Sequence, residues 1–271
     1  MVFFIATSII AFLLVFYSFL LAPGRVSKKM NSLFQVTKYA HRGLHSIDKS
    51  IPENSLAAFS AAVAAGYGIE LDLHLTADGK IVVFHDDNLI HMCGVNKNIA
   101  DCTYSELLKY RLCGTNEKIP LFSEVLALID GRVPIIVELK ASKKNIELCN
   151  EVAKLLDMYQ GPYCIESFHP GIVRWFYKNR PHFVRGQLSA GCKCFNSLPF
   201  FHRLLLSSLL TNVVTRPHFV AFRHEDSIRK FRLNLFKLLG GKLVAWTVRN
   251  TSDMKYCQKF FDAVIFEFFT P

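Results

Sequence analysis

The sequence predicts an α/β chain: a closed (β/α)8 barrel of the TIM type with a small inserted subdomain, preceded by one transmembrane helix. Three observations predict it. From residue 36 onward, short apolar runs alternate with helix-period runs about eight times, the rhythm of parallel strands joined by crossover helices. About 240 to 250 residues follow the N-terminal apolar segment, a usual length for one such barrel. The first 22 residues hold an uncharged run of about 21, enough to match a hydrocarbon core.

Composition agrees. The 271 residues are 51% hydrophobic, which supplies a sizeable core and a membrane element. The net charge of +10 suits anionic partners: nucleic acid, lipid headgroups or a phosphate-bearing substrate. No nucleic-acid motif accompanies the charge, so membrane surface and phosphate are favoured. Eight cysteines are irregularly spaced, and the only close pair, Cys192-Lys193-Cys194, is too tight for a C-x-x-C redox or zinc motif. Free thiols in a reducing compartment are expected.

Residues 1–23 read as the anchor. No Lys or Arg precedes Arg25, which argues against a cleaved signal peptide. Arg25, Lys28, Lys29 and Lys38 follow the run, so the positive-inside rule places the barrel in the cytoplasm of a single-pass cell-membrane protein. Residues 24–35 read as a short polar linker and 36–271 as the barrel. Val36 to Ala40 is the first strand and delivers His41-Arg42-Gly43. Pro52-Glu53-Asn54 precedes an Ala-rich helix from Ser55 to Ala65, capped by Asn54 or Ser55 and ended at Gly66 and Gly68. Ile69 to Leu75 is the second strand. Ala77-Asp78-Gly79 turns it back into Ile81 to Phe84, which ends at His85-Asp86.

Residues 87–119 break the rhythm and read as an insertion with one short helix near Tyr104 to Tyr110. Strands are then expected at Pro134 to Leu139, Tyr163 to Phe168, Phe183 to Leu188, Phe219 to Arg223, Lys242 to Val248 and Ala263 to Phe268. Helices fall between them, Ser227 to Leu239 among these. Phe195 to Val214 is ambiguous: a barrel helix with a wide buried face, or an interfacial helix in the headgroup region.

In a strand, residues i and i+2 share a face, so Glu70 and Asp72 project together and repel unless a cation lies between them. Such barrels carry their active sites at the C-terminal ends of the strands. His41, Glu70, Asp72, His85, Glu138, Lys140 and Trp246 all fall near such ends. Three carboxylates with no cysteine among them suit calcium or magnesium better than zinc. Two histidines can serve as general base and general acid. Arg42 and Lys140 can grip phosphate oxygens, and Glu53 can orient His41 or Arg42 or favour the helix N-terminus. His74 shares the face of Glu70 and Asp72; His45 and His169 are weaker candidates.

The ordered set AHRG (40–43), PENSLAAF (52–59), E-x-D (70–72), T-x-DG (76–79) and VVFHD (82–86) resembles the signature of the glycerophosphodiester phosphodiesterase family. The resemblance implies the same barrel, with an inserted subdomain at this position. It implies metal ligation by Glu70, Asp72 and Glu138 and acid–base roles for His41 and His85. Arg42 and Lys140 would lie near the phosphate, and Trp246 would pack against substrate. The implied reaction is hydrolysis to an alcohol and glycerol 3-phosphate, with attack by the substrate's own glycerol hydroxyl and a cyclic phosphate that water opens. Substrates would be soluble glycerophosphodiesters or lysophospholipids, with the membrane engaged through the N-terminal helix and residues 195–214. The chain departs from the family at Glu267, where an Asp is usual, which bears on the far wall of the pocket. A non-catalytic headgroup-binding protein on the same scaffold would show a degraded constellation, and every catalytic position is present.

Overall fold

The computed structural model describes the backbone of residues 2–25, 28–227 and 231–271, and the side chains of these except 2, 3, 28, 29 and 31. In chain order the elements are α1 (Val2–Leu21), α2 (Lys28–Leu33), β1 (Lys38–Ala40), α3 (Leu56–Ala64), β2 (Gly68–Leu75) and β3 (Ile81–Val83). Next come α4 (Ile90–Cys93), α5 (Tyr104–Leu107), α6 (Phe122–Ile129), β4 (Ile135–Leu139), α7 (Asn145–Met158), β5 (Tyr163–Ser167) and α8 (Pro170–Asn179). The rest are β6 (Arg185–Ser189), α9 (Phe200–Ser207), α10 (Asn212–Thr215), β7 (Phe219–Arg223), α11 (Phe231–Leu238), β8 (Lys242–Val248), α12 (Thr251–Gln258) and β9 (Ala263–Phe266).

The sheet runs β1-β9-β8-β7-β6-β5-β4-β2, and β1 pairs with β2, so eight parallel strands close on themselves. The antiparallel β3 hangs on the outer half of β2, as the hairpin turn requires. The expected barrel is therefore present, with its excursion.

Strand parity decides what faces where. Ile69, Leu71 and Leu73 of β2 join the outer core beneath the helices. That leaves Glu70, Asp72 and His74 on the inner face. Ile135, Val137 and Leu139 do the same on β4 and turn Glu138 inward, and Ile165 on β5 turns Glu166 inward. The lower interior is filled by Tyr39, Ile136, Cys164, Phe219 and Val244.

Three segments add detail to the expectation or fall partly outside the described residues. Within the expected linker, Met30 and Leu33 of α2 are buried in that lower interior, and the Tyr39 hydroxyl donates to the Leu33 carbonyl at 2.8 Å. Apolar positions three apart on a short helix give the barrel floor a plug. In the 195–214 stretch Leu206 and Leu209 are buried against the barrel in the β6–β7 crossover, while Leu198, Phe200, Phe201 and Leu204 are exposed. The helix expected from Ser227 is described from Phe231 only; residues 228–230 lie outside the described chain.

The insertion after β3 has its own small core. Phe84, Leu89, Met92, Ile99, Leu107 and Leu112 pack together, and the Thr103–Glu106 capping box starts α5. All eight cysteines are free.

The β6–β7 seam is tightly packed: a Cβ on Gly186 would overlap the Phe219 ring. Gly186→Ala is expected to destabilise the barrel by roughly 1–3 kcal/mol through overpacking. Urea unfolding checks this, and Phe219→Leu in the same chain should recover part of the loss.

Candidate active site

The site forms at the C-terminal ends of the strands, where parity and strand order converge. Glu70, Asp72 and Glu138 are buried, and one oxygen from each lies within 4.8 Å of the others. β2 and β4 are neighbours in register, Asp72 opposite Glu138, which is what brings them together.

Two cations are wedged into this acid. The Lys140 ammonium lies 2.7 Å from Asp72 Oδ1 and 2.8 Å from Glu138 Oε1. Arg42 donates its backbone N–H to Glu70 Oε2 at 3.0 Å, ion-pairs with Glu53 at 2.7 Å and lies 3.5 Å from Asp72 Oδ2. Glu53 thus orients Arg42. Asn54 donates to Asp72 Oδ2 at 2.9 Å, leaving Ser55 to cap α3 by accepting from the Ala58 N–H. The Arg42-Gly43 turn itself lies hard against α3: a Cβ on Gly43, whose φ is +80°, would meet the Ala58 backbone at 2.9 Å.

Burial pushes the Glu70 carboxyl well up, and Asp72, Glu138 and Glu166 push it further. Burial likewise raises Glu138 to about 7 against the pull of Lys140. Asp72 goes the other way: burial opposes its charge, but Lys140 and Arg42 hold it below the usual carboxylate range. Glu166 is 1% exposed, its Oε2 has no hydrogen-bond partner, and burial raises it well up. A carboxyl-only cluster that takes up protons in the absence of a further cation fits a hard divalent ion, with Glu70, Asp72 and Glu138 as the residues that would hold it.

The histidines flank the acid, each with a carboxylate on Nδ1. His41 Nδ1 bonds Glu267 Oε2 at 2.5 Å, and Glu267 also accepts from Arg249 Nε at 2.6 Å. This fixes the His41 tautomer with Nε2 free to accept, 4.0 Å from Glu70 Oε2. Burial lowers the His41 pKa, and the Glu267 hydrogen bond opposes that fall. His85 Nδ1 bonds Asp86 Oδ1 at 2.6 Å, and burial lowers its pKa while Asp72 raises it. His74 does not face the acid cluster as a partner: its Nε2 bonds the His85 carbonyl at 3.1 Å and so supports that loop. His45 lies 3.6 Å from Glu267.

A cavity of about 580 Å3 opens beside His85, Glu138 and Lys140 and continues to Phe168 and His169. A second, apolar cavity of about 540 Å3 shares Ala141, Phe168 and His169 with it and runs under Phe195, Leu198 and Leu206. Trp246 packs behind Phe168, edge-on with centroids 5.5 Å apart, and its buried Nε1 has no hydrogen-bond partner. Phe168 in turn meets Phe195 at 6.2 Å.

His41, Arg42, Glu70, Asp72, His85, Glu138, Lys140 and Trp246 therefore all lie toward this one end of the barrel. Sequence reading missed Glu166, Asn54 and Asp86 and took Glu267 as a departure in the pocket wall. Glu267 is the hydrogen-bond partner of His41. Parity of β5 turns Glu166 inward, and the pairing of β5 with β4 sets it opposite Glu138.

Fold and site together define a (β/α)8 protein with an acid–histidine centre at its C-terminal rim. The sequence profile of the Glycerophosphoryl diester phosphodiesterase family matches residues 41–269, and the chain belongs to that family. It is 34% identical over 164 residues to a glycerophosphodiester phosphodiesterase of Bacillus altitudinis, covering 53% of this chain and 62% of that protein. It is 32% identical over 170 residues to a lysophospholipase D of Homo sapiens, covering 58% of this chain and 52% of that one. The matches thus span between half and two thirds of those relatives' lengths. Among solved structures, an Oleispira antarctica phosphodiesterase in complex with the product sn-glycerol-3-phosphate superposes with a TM-score of 0.72 at 23% identity, covering 88% of this chain and 94% of that one.

Two measurements test the electrostatics. Glu267→Gln should lower the His41 pKa further, because burial then acts without the opposing carboxylate; NMR titration of the His41 Cε1–H reads this. Calcium or magnesium affinity should rise with pH through about 7, since a cation must displace the protons held on Glu70 and Glu138. Calorimetry in buffers of different ionisation enthalpy counts the protons released, and Glu70→Gln should abolish the binding.

Proposed function

We propose that the protein is a metal-dependent phosphodiesterase that hydrolyses glycerophosphodiesters to an alcohol and glycerol 3-phosphate. The observation that carries this reading is the pair of carboxylate-held histidines, His41 and His85, on either side of the buried Glu70, Asp72 and Glu138 cluster. A calcium or magnesium ion bound there would supply neutralisation of the phosphoryl charge. Arg42 and Lys140 bring two fixed positive charges to the same oxygens, and Arg42 is held for this by Glu53.

One imidazole takes the proton from the attacking glycerol hydroxyl and the other gives a proton to the leaving alkoxide. In the second half the roles reverse as water opens the cyclic phosphate. Burial favours the neutral form of both imidazoles, which suits the base; the ring that acts as acid enters the reaction protonated, and Glu267 and Asp86 stabilise each ring when it is charged.

A finer reading is favoured by one feature, the apolar cavity that joins the site at Phe168 and His169. Its lining suits a single acyl chain, which makes a lysophospholipid the substrate and the reaction that of the lysophospholipase D relatives. The N-terminal helix, uncharged and almost wholly exposed beyond the barrel, supports residence in the cell membrane with the barrel cytoplasmic.

Purified full-length protein in detergent, given glycerophosphocholine and lysophosphatidylcholine with calcium, magnesium or chelator, tests both levels. Metal-dependent turnover is expected, and His41→Ala or Glu70→Ala should lower it by at least about 10²-fold. Full activity in either variant overturns the assignment. Leu198→Asp with Leu206→Asn should cost lysophosphatidylcholine turnover selectively; equal loss on both substrates would remove the acyl-chain role.

A further inference from the structure

α1 does not leave the barrel as a free tether. Its last turn is fixed at the N-terminal end of β7, where the Gly24 N–H donates to the Pro217 carbonyl and Arg216 donates to the Phe19 and Ala22 carbonyls. One turn higher, the Tyr17 hydroxyl donates to the Ser208 carbonyl at 3.2 Å and the Tyr17 ring stacks on Phe231. Phe231 opens α11, which descends from the C-terminal end of β7. The helix therefore climbs the barrel flank between α9–α10 and α11, from floor to rim, and points past the rim that carries the active site.

Phe4 to Phe16 is an exposed, uncharged stretch beyond these contacts, so a bilayer that takes up this helix lies next to the adjoining rim. The rim beside the helix is built for contact. Phe200 and Leu204 share a face of α9 with Ser208, the residue Tyr17 meets. Phe200 is 70% exposed, Phe201 63%, Leu204 44% and Phe231 61%. The surrounding chain is basic: residues 167–224 carry eight Lys and Arg and no Asp or Glu.

We propose that α1 is a rigid strut that holds the active-site mouth against an anionic bilayer leaflet, with Leu198, Phe200, Phe201, Leu204 and Phe231 seated at the boundary between headgroups and hydrocarbon. This rests on the membrane reading of α1 and adds orientation to it. The partner surface is an anionic leaflet because the patch is apolar and Lys193 and Arg203 flank it in a segment with no Asp or Glu. The apolar cavity under Leu198 then opens at the level of the lipid, so that a single-chain diester reaches Phe168 and Trp246 without crossing water.

The test places a fluorescent non-natural amino acid at position 12, 201 or 158 of the full chain. Each protein is reconstituted into phosphatidylcholine–phosphatidylserine vesicles containing nitroxide lipids labelled near the headgroup or deep in the acyl chain. Position 158 serves as the control, since Met158 is exposed at the end of α7 that leads into the barrel floor. Deep quenching at 12 with shallow quenching at 201, several-fold above that at 158, is the expected result. Quenching at 12 with 201 no better than 158 overturns the strut and leaves the anchor standing. No quenching at 12 removes the membrane reading itself and the strut with it. Phe200→Ser with Phe201→Ser supplies a second readout. Vesicle flotation should persist through α1, while shallow quenching of a probe at 198 should fall to the level at 158. Unchanged quenching at 198 would show that these phenylalanines do not seat the rim.

Discussion

Four carboxylates converge on the barrel axis in the company of two fixed cations. Glu70, Asp72, Glu138 and Glu166 are all buried, and Arg42 and Lys140 are the cations that reach them. Four negative charges less two positive leaves a deficit of at least two, since Glu53 also draws on Arg42. Water cannot solvate it there, so it is met by protons or by a divalent ion. The raised pKa values of Glu70, Glu138 and Glu166 describe the first solution. The chemistry proposed for the site requires the second. The balance also explains why Arg42 sits on a turn at φ 54° with its own backbone N–H on Glu70: the turn delivers charge to the cluster twice.

The same constraint divides labour around the rim. Asp72 stays ionised because Lys140, Arg42 and Asn54 all serve it. Glu267 stays ionised because His41 and Arg249 do. The histidines lie outside the deepest acid, each leaning on a carboxylate that is not one of the three clustered ones. An imidazole paired directly with Glu70 would be charged and would compete with a cation. Held by Glu267 instead, His41 presents a neutral Nε2 to the pocket. Glu in place of Asp at 267 is thus a change of reach rather than a loss of the partner.

Much of this was legible in the sequence. Alternation of strand and helix gave the barrel, and the i, i+2 rule put Glu70 and Asp72 on one face before any contact was known. Lys140, two residues after Glu138, follows by the same parity. What was not legible depends on register between distant strands. Glu166 reads as an ordinary polar residue until β5 is paired with β4 and sets it opposite Glu138. Glu267 lies far along the chain from His41, and only barrel closure between β9 and β1 joins them. The burial of Met30 and Leu33 within 24–35 was not legible for a related reason: two apolar positions are too few to show periodicity, yet they suffice to plug a barrel floor.

That plug bears on how the N-terminal helix acts. A tether of a dozen flexible residues would leave the barrel free to rotate beneath a membrane. Here Met30 and Leu33 of α2 are buried in the floor and the Gly24 N–H is bonded to Pro217, so the connection is tied to the barrel at two points. α1 must then return along the flank, and Tyr17 locks it there against both Ser208 and Phe231. The exposed rim phenylalanines, the acid-free segment and the apolar cavity lie on the side of the barrel where this return places the helix. A soluble diester needs none of these features. A substrate held in a leaflet needs all of them, because its acyl chain must leave hydrocarbon and find apolar surface at once. In the proposed arrangement the floor of the barrel, by fixing the foot of α1, sets the direction in which the active-site rim faces.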